Sequence, residues 1–212
     1  MKIVAIMPIK LNNERLPGKN TKMLGGKPLL RYALEEMKRA EVADKIYVYC
    51  SSDEIVRYLP AGIHYLRRSA DLDLPTSNFT QIFSSFMNAV DADVYIYTHA
   101  TAPFVTAESI RICVGKVLGG EYDSAFTATE IRDFLWQDNQ PLNFDAANVP
   151  RSQDLKPIYR ESSGIYVFTK KVFQRLNRRI GEHPYILGIN MREAVDINTA
   201  EDFKMAELLL NQ

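Results

Sequence analysis

The first residues able to do chemistry together lie just after residue 9. Lys10, Leu11, Asn12, Asn13, Glu14, Arg15, Lys19, Asn20 and Lys22 fall within one stretch, broken by Pro17-Gly18 and closed by Gly25-Gly26 before Pro28. Ammonium and guanidinium groups neutralise phosphate oxygens, and backbone N–H groups in a tight turn can converge on the same anion. The stretch follows Ile3-Val4-Ala5-Ile6-Met7, a β-branched apolar run bounded by Pro8 that reads as a strand buried on both faces. A basic loop at the carboxyl end of such a strand suits a nucleotide. The same composition equally suits a solvated surface loop, and composition by itself does not choose between the two.

A phosphate loop of this kind needs a sheet behind it, and the rest of the chain alternates accordingly. Leu29 to Ala40 places Leu30, Ala33, Leu34 and Met37 at helical intervals, with Pro28 suited to the first turn. Strands are expected at Lys45 to Ser51, Ile63 to Leu66 and Asp93 to Thr98, with Ser52-Asp53 capping a short segment to Leu59. Helices are expected at Thr76 to Ala89, whose Phe79, Ile82, Phe83 and Phe86 read as core, and at Ala107 to Leu118. Ser124 to Glu130 reads as a further strand. Ile131 to Tyr159 is loop-rich, and its Phe134, Leu135, Trp136, Leu142 and Phe144 make either a partner surface or a cover over the chain's own core. Gly164 to Thr169 and Tyr185 to Ile189 return as strands, Ala194 to Ile197 as a short extended piece, and Lys170 to Arg179 and Thr199 to Leu210 as helices. This order predicts an α/β fold with a mostly parallel sheet and helices on both faces.

Composition limits the partners. Lys plus Arg equals Asp plus Glu at 26 each, so no overall field favours nucleic acid or a membrane surface. With 46% hydrophobic and 25% charged residues, residues 1–212 read as one domain carrying an insertion at 131–159. Cys50 and Cys113 sit in apolar stretches and read as buried free thiols. No apolar run approaches a membrane span, and the apolar start is too short for a signal peptide. The expected location is cytoplasmic.

The order and spacing of the loop residues carry more than their composition. Pro8-Ile9-Lys10, Arg15-Leu16-Pro17-Gly18-Lys19-Asn20 and Gly25-Gly26-Lys27-Pro28-Leu29 resemble the first motif of the CMP-sugar synthetases, the acylneuraminate and 3-deoxy-manno-octulosonate cytidylyltransferases. Four later segments resemble the same family in the same order. They are Arg68-Ser69-Ala70-Asp71-Leu72, His99 to Phe104, Tyr159 to Tyr166, and Val195-Asp196-Ile197-Asn198-Thr199-Ala200-Glu201-Asp202. The resemblance implies a Rossmann-like nucleotidyltransferase sheet in which a sugar hydroxyl attacks the α-phosphorus of CTP and pyrophosphate leaves. It implies that Lys10, Leu11, Asn12, Asn13, Arg15, Lys19, Asn20, Arg68 and Ser77 hold the nucleotide. His99, Thr101, Arg151, Tyr159, Arg160 and Ser163 would face the acceptor, a sialic-acid-like sugar acid. Lys10, Lys19 and Asp196 would act in catalysis, with Asp196 on Mg²⁺ or Mn²⁺, and the 131–159 excursion would pair two copies into a homodimer.

Departures fall on the acceptor and metal side. Lys10 stands where the family usually has Arg, keeping charge but not the guanidinium fork. Asn198 replaces a second Asp, His99 a Gln, and Ser163 an Asn; Thr101 falls where the octulosonate branch has an Asp, and Val105 where an Arg is common. Two alternatives share the fold: an enzyme using another nucleotide or acceptor, and a non-catalytic homologue that binds nucleotide without turnover.

Overall fold

In the computed structural model, which describes residues 1–211, seven strands form one sheet. They are β1 (Ile3–Ile9), β2 (Lys45–Cys50), β3 (His64–Arg67), β4 (Val94–Thr98), β5 (Ser124–Ile131), β6 (Ile158–Thr169) and β7 (Pro184–Gly188). Their order in space is β7-β5-β6-β4-β1-β2-β3. All neighbours run parallel except β6, which is antiparallel to both β4 and β5. Successive residues of β1 and β4 feed opposite faces, as the strand period requires. Ala5, Met7, Val94 and Ile96 join the core beneath α1 (Leu29–Ala40) and α3 (Ala107–Leu118). Val4, Ile6, Tyr95 and Tyr97 join an aromatic core beneath α2 (Phe79–Ala89) and α4 (Lys170–Leu176). There Phe83 lies 4.9 Å from Tyr95 and 4.6 Å from Phe173, edge to face. α5 (Ala200–Leu210) closes a smaller cluster in which Phe203 and Ile197 meet Leu24 and Leu29.

Several boundaries depart from the sequence reading, each for a local reason. β1 continues through Pro8 to Ile9 instead of stopping before it, because pairing with β4 ends at Ile6–Tyr97 and only β2 continues alongside. Pro8 therefore lacks an N–H on a stretch that needs none on the β4 side. α2 starts at Phe79, not Thr76, since Asn78 and Gln81 make a reciprocal capping box there. β6 begins at Ile158, well before Gly164, because Ile158 to Glu161 already pair with β5 ahead of a bulge between Glu161 and Tyr166. Residues 194–197 form no strand. The excursion after β5 holds a two-residue ribbon, Trp136–Gln137 against Gln140–Pro141, turned by Asp138 and Asn139 with φ of 50° and 62°. Phe134, Trp136 and Leu142 are exposed on it, with the Phe144 ring 4.9 Å from Phe134. Cys50 and Cys113 are buried and free. No helix among the described residues is long and apolar enough to cross a membrane.

Candidate active site

The strand order reverses between β1 and β4, so their carboxyl ends part and leave a crevice. The loop after β1 lies there. Gly18 takes a left-handed turn (φ 64°), which lets Lys19 begin a short 3₁₀ helix over Lys19–Thr21. The amide of Asn20, itself buried, donates to the Lys10 carbonyl at 2.9 Å and closes the base of the loop. Lys10, Asn13, Glu14, Arg15 and Lys19 line a cavity of about 300 Å³, bounded on its far side by Pro75. The Asn13 side-chain oxygen is buried without a protein partner.

A second segment, Asp196 to Asn198, packs against this loop. The buried Lys19 ammonium donates to the Ile197 carbonyl at 2.7 Å, and Ile197 N–H donates to the Thr101 carbonyl after β4 at 2.8 Å. Arg15 donates to the Asn198 side-chain oxygen at 2.9 Å, and the Asn198 amide donates to Asp196 Oδ2 at 2.9 Å. Burial holds Lys19 below its ordinary pKa, while the neighbouring Asp196 carboxylate pulls the other way. Asp202 caps α5 by accepting from the N–H groups of Asn198 and Thr199, both at 2.8 Å, and these bonds keep its carboxyl below the usual carboxylate range. Asp196 Oδ1 is buried and receives no hydrogen bond from the protein. An unpartnered carboxylate oxygen is a donor that a hard divalent cation takes, so the chemistry of Asp196 fits the metal role that the motif implies. Among the described residues, no cluster of three His, Cys, Asp or Glu could hold a metal alone.

Asp196 and Asp202 also line a second cavity, of about 380 Å³, whose other wall is the bulge of β6 with Arg160, Glu161, Ser162 and Ser163. The bulge is held open by side chains. Thr127 accepts from Ile165 N–H at 3.1 Å and lies 2.7 Å from the Ser162 hydroxyl, and Thr98 donates to the Gly164 carbonyl at 2.7 Å. A Cβ on Gly164 would come within 3.0 Å of Val105 and 3.1 Å of Thr127, so the chain can approach this closely only as glycine. His99 Nδ1 donates to the Ser163 carbonyl at 2.7 Å, with the ring edge to face against Tyr97 and Tyr166. That bond leaves Nε2 as the acceptor. Burial lowers the His99 pKa, which keeps the ring neutral at pH 7.

The other expected residues are placed less uniformly. Arg68 is buried, donates twice to Asp73, and keeps one guanidinium nitrogen without a partner. Ser77 donates to the Asp71 carbonyl at 3.0 Å, Leu11 packs against the core, and Asn12 is exposed. Arg151 lies in the excursion, ion-paired to Asp154, and lines neither cavity; Tyr159 is exposed on β6 beside Glu130. Glu161, Met191 and Met205 line the second cavity although nothing in the sequence singled them out. Glu161 had one available signal, its place beside Arg160 in a matched segment, whereas the two methionines come from separate elements and had none.

His99 gives this site a measurable pH dependence. Its folded pKa lies below the unfolded value, so the unfolded chain binds the proton first and stability is lost as pH falls below about 6.5. Thermal unfolding between pH 7.5 and 5 should show a loss that His99→Gln diminishes. Identical pH slopes in the two proteins would show that the ring protonates freely in the fold.

Relatives align with the whole chain, not with the loop alone. The family profile described as Cytidylyltransferase matches residues 4–209. A pseudaminic acid cytidylyltransferase of Campylobacter jejuni is 25% identical, covering 99% of this chain and 96% of its own. The CMP-N,N'-diacetyllegionaminic acid synthase of Legionella pneumophila is 28% identical over 99% of this chain and 97% of its own. An N-acylneuraminate cytidylyltransferase of Oncorhynchus mykiss is 25% identical over 82% of this chain, which is 42% of the relative. Among solved structures, a CMP:2-keto-3-deoxy-manno-octonic acid synthetase complexed with CTP superposes with a TM-score of 0.75 at 16% identity, over 100% of this chain and 99% of that one. At that identity the superposition establishes the fold alone. The profile, by contrast, runs from β1 into the last turns of α5, and the chain belongs to the cytidylyltransferase family.

Proposed function

We propose that the chain transfers CMP from CTP to a 2-keto-3-deoxy sugar acid of the sialic type, releasing pyrophosphate. The observation that carries this reading is the arrangement around Asp196 to Asn198. Arg15 reaches this segment from a basic cavity, and Asp196 opens onto a second cavity of mixed charge. The first suits a triphosphate, and the second, with Arg160 beside three carboxylates, suits a hydroxyl-rich acceptor whose own carboxylate meets Arg160. In-line transfer at phosphorus is mostly positioning and charge neutralisation. Lys10, Arg15 and Lys19 supply positive charge to the phosphates, and the partly desolvated Lys19 acts where water screens it little. Arg68, fixed by Asp73, keeps one buried guanidinium nitrogen unpartnered and is a further candidate for the nucleotide, while Arg160 and Ser163 line the cavity assigned to the acceptor. Asp196 would hold Mg²⁺ or Mn²⁺ jointly with phosphate oxygens, and such an ion, when bound, supplies further neutralisation of the triphosphate. CTP as donor suits a cytoplasmic setting.

Pyrophosphate release across the four nucleoside triphosphates, each with a panel of sugar acids, tests the reading. Turnover should require CTP and a sugar acid together; preference for another nucleotide would replace it, and nucleotide binding without turnover would favour a non-catalytic homologue. Lys19→Ala should weaken CTP about ten- to a hundredfold, the cost of one charge-assisted contact, and CMP far less. Equal weakening of both would remove Lys19 from the triphosphate.

The metal reading makes a separate prediction. With Asn198 neutral, Mg²⁺ should bind the free protein weakly and bind clearly only with CTP present. Asp196→Asn should abolish turnover without unfolding, and Asn198→Asp should tighten Mg²⁺ in the absence of nucleotide. Calorimetric titrations with and without CTP decide this, and normal turnover of Asp196→Asn at limiting Mg²⁺ would place the metal elsewhere.

The excursion supports a homodimer as part of the same reading. Phe134, Trp136 and Leu142 remain exposed and offer apolar surface beside Phe144. Replacing Phe134 and Trp136 together with Ser should move sedimentation toward monomer; an unchanged coefficient would assign the patch another role.

A further inference from the structure

Glu161 lines the cavity that Asp196 shares, and its carboxylate is held from one side only. The Tyr166 hydroxyl donates to Oε1 at 2.5 Å, and Arg179 donates to the same oxygen at 3.1 Å. Arg179 also donates to the Tyr166 hydroxyl at 2.9 Å, closing a triangle of three groups. Among the described residues, no protein group donates to Oε2. The guanidinium is itself fixed, lying 3.7 Å over the centre of the Tyr166 ring and 5.4 Å from that of Phe79. An ion pair this exposed, with Arg179 at 25% and Glu161 at 43%, adds little to folding. Stability therefore does not account for a clamp built from a fully buried tyrosine and a stacked arginine. What the clamp does is hold one carboxylate oxygen of a cavity-lining residue and leave the other without a protein donor.

An ionised carboxylate only accepts hydrogen bonds. It repels the carboxylate of a sugar acid and attracts a hydroxyl or ammonium. Arg160, the residue before Glu161 on β6 and exposed on the same cavity, has the opposite preference; its guanidinium makes a weak contact to the Met191 sulfur at 3.9 Å. A cation and an anion from adjacent residues, which a strand turns to opposite faces, give the wall a polarity that orients an acceptor, its carboxylate toward Arg160 and a donor substituent toward Glu161. We propose that Glu161, clamped by Arg179 and Tyr166, selects the acceptor by taking a hydrogen bond from a hydroxyl or amino substituent of the sugar acid. Arg179 is a positioning residue in this scheme, since it acts through Glu161. The inference rests on the proposed acceptor class and narrows it.

The test is a coupling measurement on the intact protein. Wild type, Glu161→Ala and Arg179→Met are assayed for pyrophosphate release from CTP. The acceptors are a 2-keto-3-deoxy sugar acid and analogues in which one hydroxyl at a time is replaced by hydrogen. One analogue should lose about ten- to a hundredfold in kcat/KM with wild type, the effect of a charged hydrogen bond, and less than about threefold with Glu161→Ala. Arg179→Met should give an intermediate loss for that analogue alone, carried by the KM for acceptor and not by the KM for CTP. A merely structural arginine would depress all acceptors alike. If every analogue loses the same factor in wild type and Glu161→Ala, the selecting role of Glu161 is overturned while the cytidylyltransfer reading stands. If no sugar acid supports release with wild type, the acceptor reading fails, and this inference falls with it.

Discussion

The site depends on Ile197, a residue with no functional group of its own. Its side chain is fully buried against Leu24, Leu29 and Phe203, which ties it to α1 and α5. Its N–H reaches the Thr101 carbonyl after β4, and its carbonyl receives the Lys19 ammonium from the loop after β1. The two strands flanking the crevice are thus joined through one peptide segment from near the end of the chain. A buried ammonium bonded to a neutral carbonyl would be costly alone. Here Asp196 and Asp202 lie close enough to favour its charge, so the pin that fixes the geometry also sets the electrostatics.

That pin explains why the site could be read only in part from sequence. The sheet was legible because its strands are buried on both faces and its helices carry clear apolar stripes; α1 and α3 begin and end where periodicity puts them. Local signals also set several caps, as at Thr199 and Asp202. The crevice was less so, because it needs residues 178 positions apart to meet, as Lys19 and Ile197 do. Spacing along the chain says nothing of such a contact. The β6 bulge was missed for a related reason: a run of polar residues, Arg160 to Ser163, reads as loop, yet Thr127 and Thr98 on neighbouring strands hold it within the sheet.

The β6 bulge also shows how the fold separates two tasks. Under the proposed function, phosphate recognition would fall to a loop, where backbone and flexible cations can adjust to a ligand. Acceptor recognition would fall to a strand interrupted by a bulge, where side chains keep the precision of the sheet. His99 belongs to the second group. Its Nδ1 bond to Ser163 fixes the tautomer, and burial favours the neutral ring. In place of a glutamine amide, which both donates and accepts, this wall has a ring committed to a single outward role.

Asn198 can be understood in the same terms. It accepts from Arg15 and donates to Asp196 at once, which an amide can do and an ionised carboxylate cannot. An aspartate there would keep the Arg15 bond but set a second carboxylate against Asp196 Oδ2, now 2.9 Å from the Asn198 nitrogen. Two carboxylates that close do not both ionise readily unless a cation lies between them. Asparagine removes that requirement, and Asp196 Oδ1 is left buried without a hydrogen-bond donor. Asn198 thus links the basic loop to Asp196 through two hydrogen bonds, where an aspartate would set two carboxylates against each other.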